Sequence, residues 1–476
     1  MRVCAAIIAL VSLLGCAKAT TPAVGTLVVH IDTNAPVLTN DDRGRSMALF
    51  DSVRVEVLTA DGDLACPTCQ REFPASEDQF RQGLSFGITK PSRTDLRITA
   101  RMFLSTLAGT EIDARVTVTA SALLQNGGDG QVPDEGARHV SLFLEAAEVG
   151  AKGQTVPLQP YVEHDSLVFT WAWANRIPCV RKPRADEACI FGGAFWLGAA
   201  SGALTVQPER SARRVIALKP FFLLDHEVTV AELRPFLDSH PEFDQMVNVW
   251  SGSISGENPT DWCTYTKMAG ELDEYPVNCV ADDLARAYCQ AEGGDLPSEA
   301  QFEYVAGALS GHPFVWGLDI PTCEVAVYGR HTSLTAWTTS FSDSSCVGAA
   351  PEERDAIGSP MMSRASPTRD TLIVNGHAIH HIAGNLSEWT LDEYDGRDSA
   401  CWTDLSRPNF AIEPVCKQGP IVNEARRHEH SRAVRGGSWL EGMPALASNY
   451  RFEQEFGLKT AWVGFRCARP GGPTSP

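Results

Sequence analysis

Between Thr26 and about residue 149 the chain alternates in short runs. Leu27-Val28-Val29-His30-Ile31 is rich in β-formers, and Val53-Arg54-Val55-Glu56-Val57 places an apolar side chain at every second position. Leu96-Arg97-Ile98-Thr99-Ala100-Arg101-Met102 repeats the alternation, and Val116-Thr117-Val118-Thr119 and Val140-Ser141-Leu142-Phe143-Leu144 continue it. Turn signals such as Asp61-Gly62 and Asn126-Gly127-Gly128-Asp129 separate the runs. From about Ile190 the period lengthens. Thr229-x-x-Glu232 is a capping box, with Val230, Leu233 and Leu237 following at helical spacing. Leu284 and Tyr288 share a face one turn apart, and Ser298-x-x-Gln301 caps a third helix that turns Phe302, Val305 and Ala306 inward.

The first pattern predicts a small β-sandwich over 26–149, immunoglobulin- or transthyretin-like. It holds no clustered histidines, acid pair or Ser/His arrangement, so spacing or adhesion is its expected role. Residues 150–188 carry Pro157, Pro160, Cys179 and a basic run, Arg181-Lys182-Pro183-Arg184, with Cys189 just beyond. They read as an ordered linker closed by a Cys179–Cys189 disulfide, the basic run being a solvated loop. Three short helices among loops and brief strands over 189–470 make an α+β class, and 471–476 is a tail.

Composition narrows the setting. The chain has 476 residues, 14 cysteines and a formal net charge of −19. That balance argues against a general nucleic-acid binder, which needs a basic face to neutralise phosphates. Met1-Arg2, the apolar stretch Val3 to Leu14 and then Gly15-Cys16 form a secretory signal pattern. Leu13-Leu14-Gly15-Cys16 resembles the lipobox of bacterial lipoproteins. The resemblance implies that 1–15 is removed, Cys16 carries lipid, 16–25 is a tether, and the protein is exported to the cell envelope, at the outer membrane. Twelve cysteines remain, and in an oxidising compartment they read as disulfides. Cys66-Pro67-Thr68-Cys69 has redox-motif spacing but no helix behind it, so a local clasp in a hairpin loop is expected.

Eight segments in order then resemble the sulfatase-modifying-factor family, whose founding member is the formylglycine-generating enzyme. They are Phe191-Gly192-Gly193-Ala194-Phe195-Trp196-Leu197-Gly198, His226-Glu227-Val228-Thr229, Pro276-Val277-Asn278-Cys279-Val280 leading into Ala287-Tyr288-Cys289, and Leu296-Pro297-Ser298-Glu299-Ala300-Gln301-Phe302-Glu303-Tyr304. Phe314-Val315-Trp316-Gly317, Ala383-Gly384-Asn385-Leu386-Ser387-Glu388-Trp389-Thr390, Arg435-Gly436-Gly437-Ser438-Trp439 and Val463-Gly464-Phe465-Arg466-Cys467 complete the set. The resemblance implies a variant of the C-type lectin fold over 189–470. It also implies a disulfide between Cys289 and Cys467. Proximity in sequence pairs Cys66 with Cys69, Cys179 with Cys189, Cys263 with Cys279, Cys323 with Cys346, and Cys401 with Cys416.

The resemblance also sets a chemical test. Family enzymes bind copper through two cysteines that follow the Arg-Gly-Gly-Ser segment; here those positions hold Glu441 and Leu446. A carboxylate and an isobutyl group do not make a soft Cu(I) site, so copper and the formylglycine reaction are not expected. The family's sulfoxide synthases use three histidines on iron. His377, His380 and His381 precede Gly384, and His428 and His430 would share one strand face, making a metal-dependent oxidase built on His428, His430 and Glu441 the alternative reading. In the family, residues around the Gly-Asn segment supply oxygens to calcium. Asn385 and Glu388 match the side-chain ligands, or else satisfy loop backbone groups directly. The leading expectation is a non-catalytic binding or scaffold module for an envelope peptide or glycan. Its groove would be lined by Ser438, Trp439, Glu441, Asn449, Arg451 and Trp389.

Overall fold

The computed structural model describes residues 25–35, 37, 49–89, 96–105, 117–124, 136–151, 155, 158–161, 177–198, 213–253, 259–309, 311–330, 345–347, 360–364, 369–395, 402, 409–417 and 431–472. The chain divides into two compact units, residues 1–176 with 404–410, and residues 177–403 with 411–476.

Among its described residues the N-terminal unit holds eight strands: β1 (Thr26–Thr33), β2 (Ser52–Leu58), β3 (Gln70–Pro74), β4 (Ser85–Thr89), β5 (Leu96–Phe103), β6 (Val118–Leu124), β7 (Ala137–Leu144) and β8 (Gln159–Pro160), with a short α-helix, α1 (Glu77–Arg81). They form two four-stranded sheets, ordered β4-β1-β7-β8 and β3-β2-β5-β6. The period-two reading holds. Val53, Val55 and Val57 are buried on β2, and Ile98, Ala100 and Met102 are buried on the β5 strand that pairs with it. β1 and β7 run parallel, with Leu27 opposite Arg138 and Ile31 opposite Leu142. That pair, and the four-plus-four order, set the unit apart from the ABED/CFG arrangement of an immunoglobulin constant domain. The expected clasp is present: Cys66 and Cys69 are joined in the β2–β3 loop. The structure moves the expected limits of the linker at both ends. β8 still pairs with β7, so the sandwich runs past 149, and a two-residue strand carries too little pattern to be read.

The second unit opens with Ile177 bridged to Gly192, ahead of the expected start at 189. Its strands are β9 (Glu187–Ile190), β10 (Gly193–Leu197), β11 (Arg214–Leu218), β12 (Phe221–Leu224), β13 (Thr371–Val374), β14 (His377–His380), β15 (Ser387–Glu393), β16 (Phe410–Ile412), β17 (Ser431–Arg435), β18 (Arg451–Glu455), β19 (Val463–Gly464) and β20 (Ala468–Pro470). The central sheet is β18-β17-β15-β19; a second runs β20-β12-β9, and β13 and β14 form a hairpin. Two helices fall where the caps place them, α2 (Val230–Ser239) behind the Thr229/Glu232 capping box and α4 (Glu299–Ala306) behind Ser298/Gln301, and α3 (Asp282–Ala291), which has no side-chain cap, falls where the Leu284/Tyr288 spacing places it. Leu233, Leu237, Leu284 and Tyr288 meet Trp389, Val434 and Phe465 in one core. Two of the paired glycines have a steric reason. A Cβ on Gly192 would lie 2.7 Å from the Leu218 carbonyl oxygen, and Gly436 has φ +74° with the Ile382 carbonyl close by.

Five of the expected disulfides are formed: Cys66–Cys69, Cys179–Cys189, Cys263–Cys279, Cys289–Cys467 and Cys323–Cys346. Cys416 is also disulfide-bonded, and its expected partner Cys401 lies outside the described residues.

Candidate functional site

Segments far apart in the chain, around Glu227, Met361, Asp370 and Arg466, converge at the Gly384-Asn385 turn and the start of β15. Asp370 receives the backbone N–H groups of Ile382, Ala383 and Gly384 at 3.0, 2.8 and 2.8 Å. Glu227, midway along the β12–α2 connection, receives Asn385 Nδ2 at 2.6 Å and Leu386 N–H at 2.9 Å. Asn385 sits in the left-handed region at φ +73°, a conformation asparagine tolerates better than most residues. Its Oδ1 accepts the Met361 N–H at 2.7 Å. Glu388 faces Arg466: Nε reaches both carboxylate oxygens at 2.9 and 2.8 Å and Nη2 adds a third bond at 2.6 Å. All of these side chains are buried. Burial pushes the Glu227 carboxyl well up, the Glu388 charge adds to that push, and Arg466 opposes it. Burial also raises Glu388 and Asp370 against the pull of Arg466 and the backbone donors.

The two residues expected to ligate calcium are therefore engaged with protein donors, Asn385 with Met361 and Glu388 with Arg466. A calcium ion taking these oxygens would displace a buried backbone N–H and a buried guanidinium. Glu227, Asp370 and Arg466 were not singled out as site residues from the sequence. Two of them stand inside quoted family segments, His226-Glu227-Val228-Thr229 and Val463-Gly464-Phe465-Arg466-Cys467, and that is the signal that marks them.

The Arg435-Gly436-Gly437-Ser438 segment leads from β17 to Glu441. Glu441 Oε2 accepts the hydroxyls of Ser387 at 3.0 Å and Ser438 at 3.1 Å, and Oε1 accepts the Tyr450 hydroxyl at 3.1 Å. Burial raises this carboxyl to about 7, and the three hydroxyl donors hold it from rising further. Leu446, the second of the two paired positions, is 1% exposed. Glu441 thus retains its proton in the fold at pH values where the unfolded chain has lost it. Unfolding free energy falls as pH rises from about 4.5 towards 7, by up to about 3 kcal/mol from this group. Glu441→Gln removes that component: urea unfolding between pH 4.5 and 8 gives a shallower slope in the variant than in the wild type, and parallel slopes would refute the assignment.

The expected groove lining is corrected for its aromatic and arginine members. Trp389 and Trp439 are core residues, donating Nε1–H to the carbonyls of Val280 and Ala461, both at 3.0 Å. A lectin-type fold poor in regular structure fills its centre with large aromatics, so family-type Trp positions here are architecture. Arg451 is 3% exposed, pairs in fork geometry with Glu299, and lies 4.4 Å from the centre of the Tyr394 ring. Ser438 is buried against Glu441, and Asn449 is partly exposed, its carbonyl taking Arg435 Nη1 at 3.2 Å. His428, His430 and Cys16 lie outside the described residues. Among the described residues, no group of three or more His, Cys, Asp or Glu side chains is placed to hold a metal ion. His377 Nε2–H donates to the Asp225 carboxylate at 2.8 Å, and burial lowers His381 to about 3, keeping it neutral.

The fold and these segments define an α+β, C-type-lectin-like domain of the formylglycine-generating type. Residues 177–470 match the model of the sulfatase-modifying factor enzyme 1-like domain, and the chain belongs to that family. It is 26% identical over 329 residues to the formylglycine-generating enzyme of Bos taurus, covering 62% of this chain and 77% of the relative. It is also 26% identical over 206 residues to the inactive C-alpha-formylglycine-generating enzyme 2 of Bos taurus, covering 42% of this chain and about half, 52%, of that relative. Among solved structures it resembles PvdO from Pseudomonas aeruginosa, at 19% identity and TM-score 0.37, over 60% of this chain and 94% of that one.

Proposed function

We propose that the chain is an envelope-anchored, non-catalytic member of its family, a binding or scaffold module for a peptide or glycan. The observation that carries this reading is the pair of residues at the positions where the family enzymes place their copper cysteines. Glu441 is a hard oxygen donor already bonded to three hydroxyls, and Leu446 has no donor atom. No described cysteine is available as a substitute thiolate, because all eleven are disulfide-bonded. The relative named as an inactive formylglycine-generating enzyme supports the reading by example. Attachment would run through lipid on Cys16 and the tether to 25, placing both units at the outer membrane.

Metal analysis of protein purified without chelators, run beside incubation with a cysteine-containing peptide, tests the proposal. The expected result is no stoichiometric copper or iron and an unchanged peptide thiol. Stoichiometric metal that is lost on His428→Ala would overturn it in favour of the oxidase reading. Labelled palmitate added to expressing cells tests the anchor: label is expected in the wild type and absent from Cys16→Ser.

A further inference from the structure

Away from the Glu441 pocket, a second group of charges gathers where β12 passes into α2. His226 is fully buried there, and both of its ring nitrogens face carboxylates. Nδ1 lies 2.5 Å from Asp225 Oδ1, and Nε2 lies 2.9 and 3.0 Å from the two oxygens of Glu232 in the first turn of α2. Only a doubly protonated imidazolium donates to both. Yet Arg364, from segment 360–364, places Nη2 3.0 Å from the same Nδ1 and Nε 3.3 Å from the same Asp225 oxygen. A guanidinium only donates, so Arg364 is served by Nδ1 only when that nitrogen carries a lone pair. Asp225 and Arg364 thus make opposite demands on one atom.

We propose that His226 is a proton-operated selector between these two partners. Charged, it grips Asp225 through Nδ1–H and Glu232 through Nε2–H, and Arg364 is left to the outer side of Asp225. On losing a proton it keeps Nε2–H on Glu232, and Nδ1 becomes the acceptor for Arg364. Asp225 then turns to Arg364 Nε and to His377, whose Nε2 is already 2.8 Å from Oδ2. The remaining groups facing the cluster are His380 on β14, whose backbone N–H donates to the Asp225 carbonyl, and Arg466, bonded to the His380 carbonyl. The consequence is local and specific. Arg364 belongs to the segment whose Met361 N–H is held by Asn385, so the proton on His226 sets how tightly that segment is tied at its Arg364 end.

The carboxylates outweigh burial and the Arg364 charge, raising His226 above its ordinary value, so the exchange falls on the alkaline side of 6.5. Arg364 is 45% exposed along its side chain, so Arg364→Met removes the guanidinium without opening a cavity in the core. The test is histidine 15N NMR on the full chain across pH. The selector requires the alkaline form of wild-type His226 to be the Nε2–H tautomer, with Nδ1 unprotonated. In Arg364→Met the competitor is gone, so the midpoint rises and the alkaline form becomes Nδ1–H, bonded to Asp225. A wild-type Nδ1–H tautomer, or the same tautomer and midpoint in both proteins, would overturn the proposal. Should the variant fail to fold, the wild-type tautomer alone decides.

Discussion

Arg466→Met is expected to cost about 3–5 kcal/mol of unfolding free energy, with a larger loss at pH 8 than at pH 5. Arg466 is completely buried, makes three bonds to Glu388, and donates to the carbonyls of His380 and His381 at 3.0 and 2.8 Å. Its charge also bears on Glu227 and Asp370. Methionine replaces the volume and removes the cation that opposes the rise of all three carboxyls. All three are already raised by burial, so without Arg466 they rise further above the unfolded value. The sign follows: a carboxyl whose folded pKa is raised costs stability as pH climbs past the unfolded value near 4.5, until the folded group itself ionises. Urea unfolding at the two pH values measures both parts. Adding Glu388→Gln to Arg466→Met removes the stranded charge and is expected to recover part of the loss, chiefly at pH 8. A single variant that loses less than about 1 kcal/mol at both pH values would show that the pair is not what holds the Gly384 turn.

These pairs mark the boundary of what the sequence makes legible. The β2 and β5 strands and the capped helices α2 and α4 were readable because period and cap chemistry act over a few residues. Gly192 and Gly436 were readable because a tight turn leaves glycine as its trace. Arg435 with Glu303, Arg451 with Glu299 and Arg466 with Glu388 were not, because each partner lies far away in the chain. A charged residue met in isolation is expected at the surface, and nothing in its neighbourhood reveals a buried counter-ion. Arg451 and Glu441 were accordingly assigned to a groove. The same limit applied to Trp389 and Trp439, whose indole N–H partners are the carbonyls of Val280 and Ala461. For the candidate site, the identities of Glu441 and Leu446 were plain, but the three hydroxyls around Glu441 became visible only once β15, β17 and the Tyr450 turn were in place. Asp370 was missed because its partners are backbone N–H groups, which have no sequence signature, and Glu227 because its partners, the Asn385 amide and the Leu386 N–H, lie about 160 residues away in the chain.

Disulfides were more legible than charges because five of six proposed partners sit close in the chain, and the exception carries the largest energetic consequence. Cys289 on α3 and Cys467 beside β20 are separated by 178 residues, while Cys66 and Cys69 are separated by 3. In the chain-entropy model the long loop is worth about 5 kcal/mol and the short one about 2 kcal/mol, because closure restricts the unfolded ensemble more as the loop grows. The long bridge also lies in the core where α3 meets Phe465 and Trp389, so its loss adds a packing defect. Cys289→Ala/Cys467→Ala is therefore expected to lower the guanidinium midpoint of the second unit by more than any other disulfide deletion. Cys66→Ala/Cys69→Ala should shift only the β-sandwich transition, and by less. In a Trp171→Phe/Trp173→Phe background, tryptophan emission follows the second unit alone, because the nine remaining tryptophans all fall within it. Far-ultraviolet dichroism reports both units. If the two double variants move the tryptophan transition equally, the entropy ranking fails and the Cys289–Cys467 bridge is a local staple, like the clasp in the β2–β3 loop.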